Sequence, residues 1–125
     1  MTYDERKAQV KSYLGKVIDI EIDRPLGFVY QKQGYSLSYD INYGYIPGVI
    51  GGDGEFLDVY LLGVHEPVER YTAKIIGIVH RRDDVEDKLV AAPEGRHYSK
   101  EAMEQRIYFQ ERYYDSYVEP LELEY

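Results

Sequence analysis

The chain has 125 residues, a formal net charge of −8 from 15 Lys and Arg against 23 Asp and Glu, and no cysteine. That length supports one hydrophobic core, so residues 1–125 are read as a single domain, and the acidic balance argues against nucleic acid as a partner, because phosphate-backbone binding needs basic surface. The absence of cysteine excludes disulfides and thiolate metal sites and fits a reducing cytoplasm. No apolar run approaches the roughly 18 residues of a membrane span, and the N-terminal MTYDERKAQVKSYLG lacks the apolar region of a secretory leader, so no membrane partner is expected.

In chain order, Thr2 and Glu5 have the spacing of a capping box. Val10, Tyr13 and Leu14 follow on one face, and Gly15 can close the turn, which predicts a short helix over 3–14. KVIDIEID (16–23) alternates Ile18, Ile20 and Ile22 with Asp19, Glu21 and Asp23, the pattern of a half-buried strand with a solvated acidic face. RPLG (24–27) is a turn, and short strands follow near 28–31 and 35–39. NYGYIPG (42–48), with Gly44, Pro47 and Gly48, reads as a sharp bend. DVYLLGV (58–64), TAKIIGIVH (72–80) and KLVAAP (88–93) are strands. Ser99 is a candidate N-cap for a helix to about 117, with Phe109, Tyr113 and Tyr117 on one face. Short strands and one late helix predict an α+β fold: a small, closed, OB-like antiparallel β-barrel with a short N-terminal helix and a C-terminal helix. A parallel sheet is disfavoured, since the connections are too short for crossover helices.

Tyrosine is over-used, with 15 Tyr against 3 Phe and no Trp. Packing at core edges accounts for many of them; hydroxyls aimed at oxyanions are the sharper alternative. The acidic residues raise a second question. GGDGEFLD (51–58) places Asp53, Glu55 and Asp58 within six residues, among glycines that let the loop fold tightly. Like charges so close repel unless a cation lies between them. Oxygen-only ligands suit Mg2+ or Mn2+. An EF-hand fails, because counting from Asp53 places Asp58 and Val64 where Gly and Glu are required. A second acidic run, RRDDVEDK (81–88), follows the most apolar strand, with Lys88 heading the next one. Each run alone is compatible with a solvated turn. Two such loops at one barrel rim would make a multi-metal site. His65, His80 and His97 are isolated, and nucleophile-elbow, Walker and dinucleotide motifs are absent.

YDINYGYIPG (39–48), GDGEFLDVYLLG (52–63) and IIGIVHRRDDVEDKLVAAP (75–93), in that order, resemble the soluble Mg2+-dependent inorganic pyrophosphatases. That family carries Tyr-x-x-Asn-Tyr-Gly-Tyr, then Asp-Gly-Asp-x-x-Asp, then Asp-Glu with a later Asp-x-Lys-Leu-Val. The resemblance implies an OB-like barrel and metal-dependent hydrolysis of pyrophosphate, a small phosphate-containing substrate, with symmetric oligomers possible. It implies that Asp53, Asp58 and Glu86 hold the first metal, that Asp58 bridges to the second, and that Asp83 and Asp84 bind further metal carried by substrate. Glu55 takes the place of the central Asp that acts on the attacking water. Lys88, Tyr43 and Tyr113 match phosphate-binding groups, Tyr39 matches the first Tyr of its motif, and Glu21 falls at a strand position the family also fills with Glu. Lys32 or Arg24 stands for the basic residue before that motif. Tyr43 thereby has both a catalytic and a substrate-binding role.

The chain departs from the family pattern in several places. Glu55 and Glu86 stand where Asp is usual, the 83–88 loop is shorter, a Lys-x-Glu after the first strand is absent, and Tyr114 occupies the place of a Lys. A preference for another small phosphoanhydride, weak activity, or a non-enzymatic OB-type module stacking bases on its tyrosines are the alternatives.

Overall fold

The computed structural model describes residues 2–51, 54–83 and 86–121. The elements are helix α1 (Tyr3–Lys11), strands β1 (Val17–Arg24), β2 (Val29–Lys32), β3 (Tyr35–Ser38), β4 (Asn42–Ile50), β5 (Phe56–Leu61), β6 (Arg70–Arg81) and β7 (Asp87–Ala92), helix α2 (Lys100–Glu111) and strand β8 (Ser116–Pro120). Thr2 accepts the N–H of Glu5 at 3.1 Å and donates its hydroxyl to Glu5 Oε1 at 3.0 Å, which forms the cap its spacing predicts. The helix stops at Lys11 rather than 14. Tyr13 and Leu14 follow in a turn and still pack on the core, and Gly15 leaves the turn at φ +84°.

Strands β1, β4, β5, β7 and β6 are hydrogen-bonded in that order, and β6 returns to β1 to close a five-stranded barrel. The length of β6 lets one edge serve two partners: Arg70–Lys74 pairs with β1 and Gly77–Arg81 with β8. Strands β2 and β3 form a separate hairpin. The result is the expected small α+β barrel, with three corrections to its parts. All pairs are antiparallel except β5 and β7, which run parallel with Val59 opposite Leu89. The chain returns between them through antiparallel β6, so no crossover helix is needed. NYGYIPG is not a bend but the start of β4; Pro47 and Gly48 fall where its register with β5 breaks, between Tyr45 and Ile50. The late helix ends at Glu111, and Tyr117 lies on β8, paired with β6 rather than helical.

Alternation along the strands divides the apolar residues into two packed layers. Ile20, Leu57, Val59, Leu61, Ile75, Ile78, Leu89 and Ala91 fill the barrel, and Val10 from α1 closes one end. Tyr39, Tyr43, Tyr60, Val79 and Val90 line the opposite face of the same wall, beneath Met103 and Ile107 of α2. Each such aliphatic side chain contributes about 1.5–3 kcal/mol on full burial, so α2 is held by the barrel's outer face. Gly44 is required where β1 and β4 approach: a Cβ there would meet the Glu21 carbonyl oxygen at 1.9 Å. The register of β1 shifts beside it, between Ile22 and Arg24, leaving Asp23 as the extra residue of a β-bulge.

Candidate active site

Strand β7 begins directly after the second acidic loop, and its second residue, Lys88, points to the α2 side of the barrel wall. Its side chain is only 4% exposed, and it donates to Tyr43 Oη at 2.6 Å, Glu86 Oε1 at 2.7 Å and Asp58 Oδ2 at 2.8 Å. Three elements supply these partners: β4 brings Tyr43, the N-terminal part of β5 brings Asp58, and the loop before β7 brings Glu86. The parallel pairing of β5 and β7 is what joins them. Both acidic loops lead into the same ends of two neighbouring strands, so they emerge side by side at one rim.

Burial alone would push the Lys88 ammonium toward neutrality, but the Tyr43 oxygen and the Asp58 and Glu86 carboxylates outweigh it and raise its pKa, so it stays charged. Burial pushes the Tyr43 phenol upward despite Lys88, so its proton stays in place at neutral pH. Asp23, turned by the bulge, is also raised, first by partial burial and then by the nearby charge of Asp58. It stays solvent-exposed, as the alternation of the strand predicts, and the bulge lies beside the Tyr43 end of β4, within range of the Asp58 charge.

A second set of groups flanks the first. Arg24 donates to the Tyr39 hydroxyl, which donates in turn to Gln110 Oε1 of α2 at 2.7 Å. The Arg24 guanidinium also lies over the rings of Tyr30, Tyr39 and Tyr43, at 5.1, 5.4 and 5.8 Å. On the other side, Arg81 reaches Glu86 Oε2 at 3.3 Å and Glu111 at 2.7 Å. Arg81, Glu111 and Tyr60 carry no motif signal, and the sequence reading did not single them out. The spacing of Glu111 from Ile107 and Met103 places it on the buried stripe of α2, which is the one cue that could have found it.

Of the predicted site residues, Tyr43, Asp58, Glu86 and Lys88 are therefore brought together, with Tyr39 and Arg24 beside them. Glu55 lies exposed at the end of the first acidic loop, where its carbonyl accepts the Gly51 N–H at 2.7 Å. Asp83 is exposed and accepts the Asp115 N–H at 3.2 Å. Tyr113 is half exposed and packs edge-on against Tyr35 at 5.7 Å, so it faces the β2–β3 hairpin. Lys32 is exposed on that hairpin and not in the Lys88 cluster. Glu21 is opposite Tyr45 and paired with Arg70 at 3.5 Å. Asp53 and Asp84 lie outside the described residues. The buried Asn42 of the Tyr motif has a scaffold role: its side chain accepts the Leu26 N–H at 2.9 Å and donates to the Glu66 carbonyl at 3.0 Å.

The donor set suits a hard divalent cation. Asp58 and Glu86 offer only oxygen, the donor type that Mg2+ and Mn2+ take, and they are held close together on Lys88. Among the described residues no three acidic or imidazole side chains gather into a metal-holding group. No helix among them is long and apolar enough to cross a membrane.

A family model described as inorganic pyrophosphatase matches residues 11–117. An inorganic pyrophosphatase of Rickettsia conorii is 28% identical over 109 residues, covering 74% of this chain and 63% of that protein. One from Rickettsia prowazekii is 32% identical over 82 residues, covering 61% and 48%. The chain thus spans 48–63% of the length of these curated relatives. Among solved structures, an inorganic pyrophosphatase of Ehrlichia chaffeensis superposes with a TM-score of 0.65 at 19% identity, covering 86% of this chain and 88% of that one. One from Coxiella burnetii gives 0.59 at 24%, with the same coverage. At those identities the likeness speaks for the fold.

Proposed function

The chain belongs to the inorganic pyrophosphatase family, and from that premise we propose that it hydrolyses inorganic pyrophosphate to two phosphates. The observation that carries the reading is the Lys88 ammonium, buried yet charged, with Tyr43, Asp58 and Glu86 converging on it. A buried cation beside an excess of carboxylate is costly to maintain. It makes sense where a polyanion and its counter-cations arrive together.

In this proposal Asp58 and Glu86 hold Mg2+, or Mn2+, with Asp53, Asp83 and Asp84 contributed by the two acidic loops. Two such ions would neutralise charge on pyrophosphate and acidify the attacking water. The chain's own groups do the rest. Glu55, at the loop end, accepts the proton of that water. Lys88 turns its N–H groups to the oxygens of the leaving phosphate, and Tyr43, which keeps its proton, donates beside it. Arg24, held against Tyr39, supplies a second cation on the same rim. Tyr113 and Lys32 approach substrate from the side of the β2–β3 hairpin.

The test is phosphate release from pyrophosphate with and without Mg2+, with tripolyphosphate and a nucleoside triphosphate in parallel. Mg2+-dependent release from pyrophosphate, faster than from either other substrate, is expected. No release at any Mg2+ or Mn2+ concentration refutes the reaction, and faster release from the nucleotide moves the substrate to another phosphoanhydride.

A further inference from the structure

Arg81 and Glu111 take no part in the chemistry above, yet their side chains are 2% and 4% exposed and form a two-pronged ion pair. Arg81 Nε donates to Glu111 Oε1 at 3.0 Å and Nη2 to Oε2 at 2.7 Å. Tyr60 donates its hydroxyl to the same Oε2. Arg81 Cζ lies over the Tyr114 ring, 3.6 Å from its centre. From this anchorage Arg81 Nη1 reaches Glu86 Oε2 at 3.3 Å, while the other oxygen of Glu86 accepts from Lys88 at 2.7 Å.

Stability is a poor explanation for such a pair. Taking both charges out of water costs several kcal/mol, and apolar substitutes of similar size often fold as well or better. Position is a better one. Glu86 precedes the first residue of β7, so no strand ladder holds it. Its side chain has three rotatable bonds, and fixing them costs up to about 2 kcal/mol in entropy. The charged fork of Arg81 can fix one oxygen and so aim the other. The same two segments are tied again outside the pair: Arg82 Nη1 donates to Asp115 Oδ1 at 2.8 Å, and the Asp115 N–H donates to Asp83 Oδ2 at 3.2 Å.

We infer that Arg81, locked by Glu111 and Tyr60, is a positioning residue that orients the Glu86 carboxylate for a divalent cation, which makes the C-terminal end of α2 a supporting wall of the metal site. The inference rests on the proposed pyrophosphatase reading for its metal. It predicts that metal affinity depends on a helix that offers the ion no ligand.

The experiment compares wild type with Arg81→Met/Glu111→Gln and with Arg81→Lys. The double variant removes both charges and keeps an acceptor for Tyr60. Three quantities are read: melting temperature without metal, the Mg2+ dissociation constant by calorimetric titration, and kcat with KM at saturating Mg2+. The double variant should melt near wild type and bind Mg2+ 10- to 100-fold more weakly, the range that loss of an outer hydrogen-bond partner usually costs, with kcat recovering toward wild type at high Mg2+. Arg81→Lys keeps the charge but not the fork, so its Mg2+ affinity should fall several-fold. A folded double variant with wild-type Mg2+ affinity overturns the inference. Should the double variant not fold, unchanged affinity in Arg81→Lys overturns it. Wild type that binds Mg2+ but releases no phosphate refutes the reaction and leaves the comparison of affinities standing; wild type that binds no Mg2+ overturns the inference itself.

Discussion

Two neighbouring residues of β7, Asp87 and Lys88, each seed a charge cluster, and the two clusters lie on opposite faces of one strand. Asp87 is on the barrel side. It accepts from Lys7 of α1 at 2.7 Å, and His80 lies 3.6 Å away and in turn meets Glu119 at 2.9 Å. Lys11 completes this set at 3.4 Å from Glu119. Here two lysines and a histidine answer two carboxylates, so the cluster is balanced within the chain and reads as a clasp that holds α1 and β8 to the barrel. On the α2 side, Lys88 meets Asp58 and Glu86, and acidic Asp23 is close by. Arg81 is shared between Glu111 and Glu86, so that with Arg24 on the same rim three cations face Asp23, Asp58, Glu86 and Glu111. Carboxylate is in excess there, an imbalance that the proposed divalent cation would offset. Charge density is common to both clusters; local imbalance next to a buried cation is what sets the α2 side apart.

The strongest break of this comparison is on the α2 side. Glu55→Gln should lower turnover by about 100-fold or more, as loss of a general base does, while a cooperative melting transition is retained. Phosphate release at saturating Mg2+ measures it, and normal turnover would end the role proposed for Glu55. Glu55→Asp should also lose activity, because the shorter side chain withdraws the carboxylate from the attacking water; a gain would show a site that has drifted from its optimum.

Lys88→Met comes next, with two readouts. It leaves Asp58 and Glu86 facing each other without their shared cation, a loss of about 3 kcal/mol by analogy with broken buried pairs. Added Mg2+ should restore much of that stability while activity remains low. A melting temperature equally insensitive to Mg2+ in wild type and variant would show that no metal enters there. Asp58→Asn should have a smaller effect of the opposite kind, shrinking the Mg2+-induced rise in melting temperature that mass action gives wild type.

On the barrel side only stability should respond. Lys7→Met removes the lysine from Asp87 and should cost about 1 kcal/mol, roughly 4 °C in melting temperature, with phosphate release unchanged. The smallest effect is with pH. The Asp87 carboxylate, 3.6 Å away, raises the imidazole above its ordinary 6.5, against burial and with help from Glu119. Its contribution is complete below pH 6.5 and is lost as pH rises through the raised value. Wild type should therefore lose more melting temperature between pH 6 and 9 than His80→Gln does. Asp87 and Glu119 act with the opposite sign. Burial works to raise both, but His80 with Lys7, and His80 with Lys11, hold them below 3.8 and 4.5. Their contribution is complete above those values and is lost as pH falls through the depressed ones.

The sequence by itself determined whatever depends on residues close in the chain. The Thr2–Glu5 cap, the period-two face of β1, the apolar β6 and the helix opening at Ser99 are local patterns, and each appears in the fold. The acidic runs and Lys88 were legible too, because unbalanced charge beside apolar strands is a local anomaly. Tertiary structure alone decided which of these groups meet. Nothing local reports that β5 and β7 run parallel, because that direction follows from how the chain returns through β6; yet this pairing brings the two acidic loops to one rim, where an antiparallel pair would have separated them. The bulge at Asp23 lies beside the place where Gly44 of another strand comes against the Glu21 carbonyl, a contact no local pattern reports. Arg81 and Glu111 are 30 residues apart and look like two ordinary surface charges until α2 docks. Its docking removes water from both, and only in that low-dielectric contact does each become obligatory to the other.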